Sequence, residues 1–253
     1  MNRKDKRSVP SSKLISFLDD FLETHLFPDD PRAQNGLQLT PPPRIDRVAT
    51  AVDLCLSTVE KARSFSPQLL IVHHGLLWDG NAPWTGNRYA ILKLLIEEGI
   101  GVYSVHLPLD AHPELGNNIL LARALRLRNL KPFGRYSGKT IGWIGSAPPH
   151  FTKSRAESDL GYELKELVPP RALKRIAILS GNGRGFVREA VESGADLLLT
   201  GEVDHHASVL ARDLGLGIWA GGHYHTETLG VQALGKLLEK RFGIEHRFIE
   251  DPL

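Results

Sequence analysis

The chain has 253 residues, enough for one large domain or two small ones, and enough to bury a core without cross-links. Lys plus Arg is 31 and Asp plus Glu is 29, so the formal net charge of +2 gives no support to a dedicated nucleic-acid binder. The single cysteine, Cys55, excludes an internal disulfide framework and a cysteine-rich metal site. No window approaches the ~18 consecutive apolar residues of a membrane span. Residues 1–10, with Arg3, Lys4, Lys6 and Arg7, lack the apolar core of a secretory signal. They read as a frayed basic tail, a nucleic-acid-binding arm being the alternative, and the cytoplasm is the default compartment.

In chain order, residues 11–26 predict a helix with Leu14, Leu18, Phe21, Leu22 and Leu26 on one face, capped by Ser11 or Ser12 and stopped by Pro28 and Pro31. After a turn and short apolar segment at 35–39 and a stiff proline connector at 41–43, apolar runs and amphipathic stretches alternate. Strands are predicted at 47–52, 68–72 and 101–105, and helices at 57–64, 87–98 and 116–128. A strand at 140–145 and a helix at 154–167 follow. Further strands are predicted at 175–179, 196–200, 216–220 and 245–249, with helices at 185–193, 206–214 and 228–242.

This is the rhythm of an α/β fold with largely parallel sheets. The two runs resemble each other in order and chemistry. One ends in His106-Leu-Pro-Leu-Asp110 and the other in His223-Tyr-His-Thr-Glu227, and both continue into Leu-Gly. The expected architecture is two similar α/β lobes from an internal duplication, residues 1–133 and 134–253, bordered by the loop-rich stretch 131–150.

Histidine is the unusual count. There are 11, and eight fall in four groups: His73 with His74, His106 with His112, His205 with His206, and His223 with His225. All four groups follow a predicted strand, the edge at which open parallel sheets bind ligands. Adjacent residues on a strand point to opposite sides, so His73 and His74 share one metal only if the backbone turns, which Gly75 allows, or else serve two neighbouring ions. A lone His-His pair is more often a hydrogen-bonded strand end.

Asp110 could bridge two divalent ions, as two-metal hydrolases require, or cap the next helix, a role better suited to Glu114 or Asn117. His223 and Glu227, four apart, converge if a helix starts near residue 224; otherwise Glu227 simply occupies a favourable first turn. Glu202, Asp204, His205 and His225 could line the same cleft, with helix capping by Asp204 as the alternative. The turn Gly181-Asn-Gly-Arg-Gly185 is of the phosphate-binding type but matches neither the dinucleotide nor the P-loop spacing, so a tight strand–helix turn is the default.

Taken together, His-His-Gly, His-Leu-Pro-Leu-Asp-Ala-His followed by Gly-Asn-Asn, Thr-Gly-Glu, and Gly-His-x-x-x-Glu occur in order. Asn35-Gly-Leu-Gln and the 181–185 turn fit as well. This set resembles the Nif-three-like dinuclear metal-centre proteins, also called GTP cyclohydrolase type-two homologues, from about Asn35 to Asp251.

The resemblance implies two similar lobes with a metal site in the cleft between them, and a toroidal homohexamer. It implies His73, His74, Asp110, His223 and Glu227 as ligands of two divalent ions, of zinc, iron or manganese. It also implies a hydrolase acting on a small molecule such as a nucleotide: metal-activated water would open the purine imidazole ring of GTP, with His205 or His225 moving protons. Alternatives are a two-metal phosphohydrolase, a metal-binding toroidal scaffold without turnover, and a (β/α)₈ amidohydrolase using His223-x-His225.

Overall fold

The computed structural model describes residues 8–78 and 80–252. The basic tail read at residues 1–7 lies outside them. The chain divides into two compact units, Met1–Leu109 with Val231–Leu253, and Asp110–Gly230.

In chain order the first unit contains β1 (Val9–Pro10), α1 (Ser11–Leu22), β2 (Gly36–Leu39), β3 (Arg44–Ile45), β4 (Arg47–Asp53), α2 (Leu56–Arg63), β5 (Leu69–His74), α3 (Gly86–Glu97) and β6 (Gly101–Ser104). The short α4 (Leu107–Asp110) leads into the second unit. There follow α5 (Asn117–Ala124), β7 (Arg128–Tyr136), β8 (Lys139–Ser146), α6 (Lys153–Leu160), β9 (Lys165–Val168) and β10 (Arg175–Asn182). A 3-10 turn, Arg184–Phe186, precedes α7 (Val187–Glu192), β11 (Leu197–Glu202), α8 (His205–Leu214), β12 (Gly217–Ala220) and α9 (His223–Thr226). The chain then returns to the first unit through α10 (Thr228–Phe242) and β13 (Glu245–Phe248).

The first unit's main sheet has the order β13-β4-β5-β6-β2, parallel except for edge strand β2. Its core joins Ala49, Ala51, Leu70, Val72 and Val102 to the buried faces of α2 and α3. The second unit's sheet has the order β7-β8-β10-β11-β12-β9. Only the β10–β11 and β11–β12 pairings are parallel there. Its core gathers Ile176, Ile178, Leu197, Leu199 and Trp219 against α5 and α6. The protein is thus α/β with two mixed sheets, rather than two largely parallel ones. The antiparallel pairings of the second sheet come from β7, which forms where a loop was expected and pairs with β8, the expected strand 140–145, from β8 against β10, and from β9, which replaces the end of the expected helix 154–167.

Two local signals explain these differences. Gly161 takes a left-handed conformation at φ 81 and ends α6 after Leu160, which frees residues 165–168 to pair with β12. Glu23, at φ 49, likewise ends α1 before the prolines, so Leu14, Leu18 and Leu22 are buried while Leu26 is 59% exposed. The last strand pairs in parallel with β4, which puts residues 231–253 in the first unit by contact. Among the described residues, no helix is long and apolar enough to cross a membrane.

Candidate metal centre

Three histidines of the first unit, His73, His74 and His106, gather with Asp53 at the carboxyl ends of three adjacent parallel strands. Asp53 ends β4 and is paired in register with His74, which ends β5; His106 follows β6. Side chains leaving such an edge are held by a rigid sheet and point beyond it. The His73 and His74 rings lie with centroids 4.8 Å apart, and His106 sits 4.9 Å from His73 and 5.5 Å from His74. One potential ligand atom from each of the three lies within 4.8 Å of the others.

Gly75 contributes space rather than an unusual dihedral. A Cβ there would come 2.5 Å from Gln38 Oε1 and 2.6 Å from the Ser104 Cβ. The same Gln38 oxygen accepts the Leu76 N–H at 2.6 Å, so the chain leaving the histidines is pinned to β2.

Each of these rings is oriented through Nδ1. His73 is fully buried, and its Nδ1 donates to the Val105 carbonyl at 2.9 Å. Asp53 accepts from His74 Nδ1 at 2.7 Å, and Asp29 from His106 Nδ1 at 2.8 Å. Burial would raise the Asp29 carboxyl, but the hydrogen bond and charge of His106, with Asn35, hold it below its ordinary value. A cavity of about 430 Å³ opens beside His74, walled in part by Asp53, Trp78 and Arg88.

The second unit carries the carboxylates. Asp110, only 4% exposed, accepts from Asn117 Nδ2 at 2.8 Å and Ser180 Oγ at 3.0 Å. It does not cap the next helix, and neither does Glu114 or Asn117: the cap position of α5 is Gly116. Asn117 and Asn118 are buried spacers. Asn117 Oδ1 accepts the Gly230 N–H at 2.7 Å, and Asn118 bridges Ser180 N–H and the Ile141 carbonyl at 2.6 and 2.7 Å. They fix the loop that carries Asp110 to α10 and to the sheet. The Gly-Asn-Asn run was the only sequence sign of this role.

His223 and Glu227 converge as the four-residue spacing predicts, across the single turn of α9. His223 Nε2 lies 3.3 Å from Glu227 Oε1, and His223 Nδ1 lies 3.1 Å from Glu202 Oε1. Glu227 is 2% exposed. The His223 imidazole is pushed up to about 9, above all by its contact with Glu227, with Glu202 adding and burial opposing. A carboxylate oxygen of Asp110 and one of Glu227 lie within 4.8 Å of each other. Two buried carboxylates at that spacing, with an imidazole beside them, form a donor set suited to a divalent cation. A protonated His223 beside Glu227 would supply the positive charge that such a cation would supply in its place.

The glycine-rich turn serves this set directly. Gly181, at φ +61, faces Glu227 so closely that a Cβ would lie 2.4 Å from Oε1 and 3.3 Å from His223 Nε2. Its N–H is accepted by Thr226 Oγ1 at 3.1 Å.

His205 and His206 are exposed on the first turn of α8, which Asp204 caps through Ala207 N–H at 2.8 Å. His225 is exposed, with its ring 5.2 Å from that of Tyr162. It lines a cavity of about 940 Å³ that Glu202 also borders. The structure thus brings Asp110, His223 and Glu227 together in one unit and His73 and His74 together in the other. Asp29, Asp53, Asn117 and Ser180 are the supporting residues that sequence reasoning passed over. For Asp53 a signal existed: a carboxylate ending the strand beside the His-His strand.

A family model described as Duf34/NIF3 (NGG1p interacting factor 3) matches residues 10–252. A protein of Pyrococcus abyssi named "GTP cyclohydrolase 1 type 2 homolog" is 41% identical over 250 residues, covering 95% of this chain and 97% of its own. One of the same name from Deinococcus radiodurans is 36% identical over 253 residues, covering 96% and 94%. Among solved structures, TTHA1606 from Thermus thermophilus is 34% identical with a TM-score of 0.83, covering 97% of this chain and 99% of that one.

Proposed function

The chain belongs to the Duf34/NIF3 family, and from that premise we propose that it is a dinuclear metal-dependent hydrolase resembling GTP cyclohydrolase type two. The observation that carries the proposal is the pair of buried carboxylates, Asp110 and Glu227, within 4.8 Å of each other beside His223. In this reading His73 and His74 from the first unit and Asp110, His223 and Glu227 from the second hold two divalent ions of zinc, iron or manganese, in a cleft between the units. Neither unit's share of these five residues is by itself enough to ligate two ions, which supports a centre completed by both.

Bound there, two divalent ions supply Lewis acidity and a water whose pKa falls towards ~7 from 15.7. The residues of the chain do the rest. Asn117 and Ser180 hold Asp110 by two hydrogen bonds, so its carboxylate keeps one orientation. Glu202 fixes the His223 ring through Nδ1. His225, on the wall of the 940 Å³ cavity, and His205 are the proton carriers of this reading. Water adds to C8 of the purine, the bond from C8 to a ring nitrogen breaks, and that nitrogen takes the proton.

The wider setting is proposed on the same resemblance: a toroidal homohexamer in the cytoplasm, acting on a nucleotide-like small molecule, with the two units descended from one duplicated ancestor. Purified protein incubated with GTP and Mn²⁺, Zn²⁺ or Fe²⁺, followed by absorbance and mass, tests the reaction. The expected product is the ring-opened nucleotide. Absence of turnover with every metal removes the GTP reading, and turnover of phosphoesters instead replaces it with a two-metal phosphohydrolase.

A further inference from the structure

The 940 Å³ cavity of the second unit has walls that the proposed metal ligands do not account for. Its aromatic side is formed by Tyr162 and His225. Their ring centroids lie 5.2 Å apart with an interplanar angle of 31°, and Tyr224 stands at 87° to His225 with centroids 5.7 Å apart. The pair packs directly on the glycine backbone that follows β12. A Cβ at Gly221 would lie 2.8 Å from Tyr162 Cε2, and one at Gly222, with φ +86, would lie 3.1 Å from His225 Nδ1. Two successive glycines thus let the rings sit against the chain, and His225 stays exposed. The Tyr162 hydroxyl is buried and has no hydrogen-bond partner among the described residues. What this position supplies is a ring, and no hydrogen bond of its hydroxyl holds it there.

The charges around the cavity narrow what it can hold. Lys153 is paired with Glu157, which also accepts the Leu164 N–H at 2.9 Å. Lys165 has no ion pair among the described residues, but Glu163 and Glu202 border the same space. Two ammonium groups against three carboxylates make a poor host for a chain of phosphates, which proteins meet with clustered cations or helix N-termini. Glu202 Oε1 is taken by His223 Nδ1 at 3.1 Å, and Oε2 has no partner among the described residues. A carboxylate only accepts hydrogen bonds, so this oxygen suits an N–H donor. Leu164 and Leu167 add apolar surface.

We infer that this cavity holds the planar ring of the substrate, a nitrogen heterocycle with an N–H donor such as a purine base. His225 and Tyr162 are its stacking platform, Glu202 Oε2 is its acceptor, and the phosphates of a nucleotide lie outside the cavity. Offset stacking on an aromatic side chain is open to any such ring, because every base has a π-face. The inference rests on the hydrolase reading and adds which part of the substrate sits where. Glu202 links the two: the carboxylate that would receive the ring also orients His223, a proposed ligand, through Nδ1. A ring held there lies next to the side chains that the reaction needs, with its charged tail directed away from three carboxylates.

The test uses the full chain, treated with a chelator, in calorimetric titrations with guanosine, ribose 5-phosphate and inorganic triphosphate. Guanosine should bind, and neither ring-free compound should displace it. His225→Ala should weaken guanosine by about 5–150-fold, the range of one base–aromatic stack. His225→Phe and Tyr162→Phe keep a ring and should bind guanosine as the wild type does. Tyr162→Phe should also melt no lower than wild type, since the hydroxyl it removes is unpaired. Guanosine that does not bind, that binds His225→Ala as tightly as wild type, that is lost with His225→Phe, or that triphosphate displaces overturns the inference. GTP turnover by the metal-loaded chain with an unchanged KM in His225→Ala also overturns it and leaves the hydrolase reading standing. Guanosine binding as described, without turnover of GTP by any metal-loaded form, overturns the hydrolase reading alone.

Discussion

Replacing Gly181 by alanine perturbs the carboxylate side of the proposed centre without replacing a proposed ligand. The new Cβ would stand 2.4 Å from Glu227 Oε1, where ordinary contact begins at 3.4 Å, so the carboxylate must retreat by about 1 Å. A shift of that size in a positioned group costs on the order of 10²-fold in function. The left-handed backbone at φ +61 adds roughly 1–2 kcal/mol of strain for any residue with a Cβ. At about 2–4 °C per kcal/mol for a chain of this size, the melting temperature should fall by roughly 2–8 °C. Gly138→Ala separates the two effects: Gly138 has φ +84 but no heavy atom within 4 Å of its would-be Cβ. Chelator competition and thermal melts on both variants form the assay. Gly138→Ala should lose stability alone, and Gly181→Ala should lose stability and about 10²-fold in metal affinity. If Gly181→Ala binds metal as wild type does, the turn does not shape the Glu227 site.

Other predictions concern residues that support the fold rather than candidate ligands. Asp251 receives Ser57 Oγ, Thr58 Oγ1 and Lys61 Nζ at 2.5, 2.9 and 2.6 Å, and so ties the last residues of the chain to the side chains of α2. Asp251→Ala should cost roughly 1–3 kcal/mol, read as a lower melting temperature. His246, bonded to Thr50 Oγ1 at 2.9 Å, is pushed down to about 4 by burial and by Lys236. Its folded value is depressed below 6.5, so stability is intact above pH 6.5 and is lost as pH falls towards 4. His246→Gln should flatten that slope in urea titrations, and an unchanged slope would assign the acid sensitivity to other groups. Asn118→Ala leaves the Ser180 N–H and Ile141 carbonyl without their shared amide and should cost about 1–3 kcal/mol or more in the same titrations.

The parallel strands were legible because each is a short apolar run closed by a polar residue, as in 68–72 ending in His73 and His74. The convergence of His223 and Glu227 was legible because it depends only on helical spacing. What the sequence concealed is non-local. Strand β7 carries Lys131 and Arg135 at exposed positions and reads as loop, although its partner β8 was legible at 140–145. The return of β13 to β4 spans nearly the whole chain, and no local pattern announces it. Asp29 lies among prolines with no periodicity, and its bond to His106 crosses 77 positions. Gly181 was read only as part of a tight strand–helix turn, with phosphate binding the weaker option, because a glycine turn shows freedom of backbone but not what fills the space before it.

The central claim is a dinuclear centre that needs Asp110. Metal content of the purified full chain after loading with Zn²⁺ or Mn²⁺, beside Asp110→Asn of verified fold, tests it most directly. The account predicts two equivalents per chain in the wild type and loss of the second, at least, in the variant. A wild type without bound metal, or an Asp110→Asn variant that keeps both ions at full affinity, would contradict it.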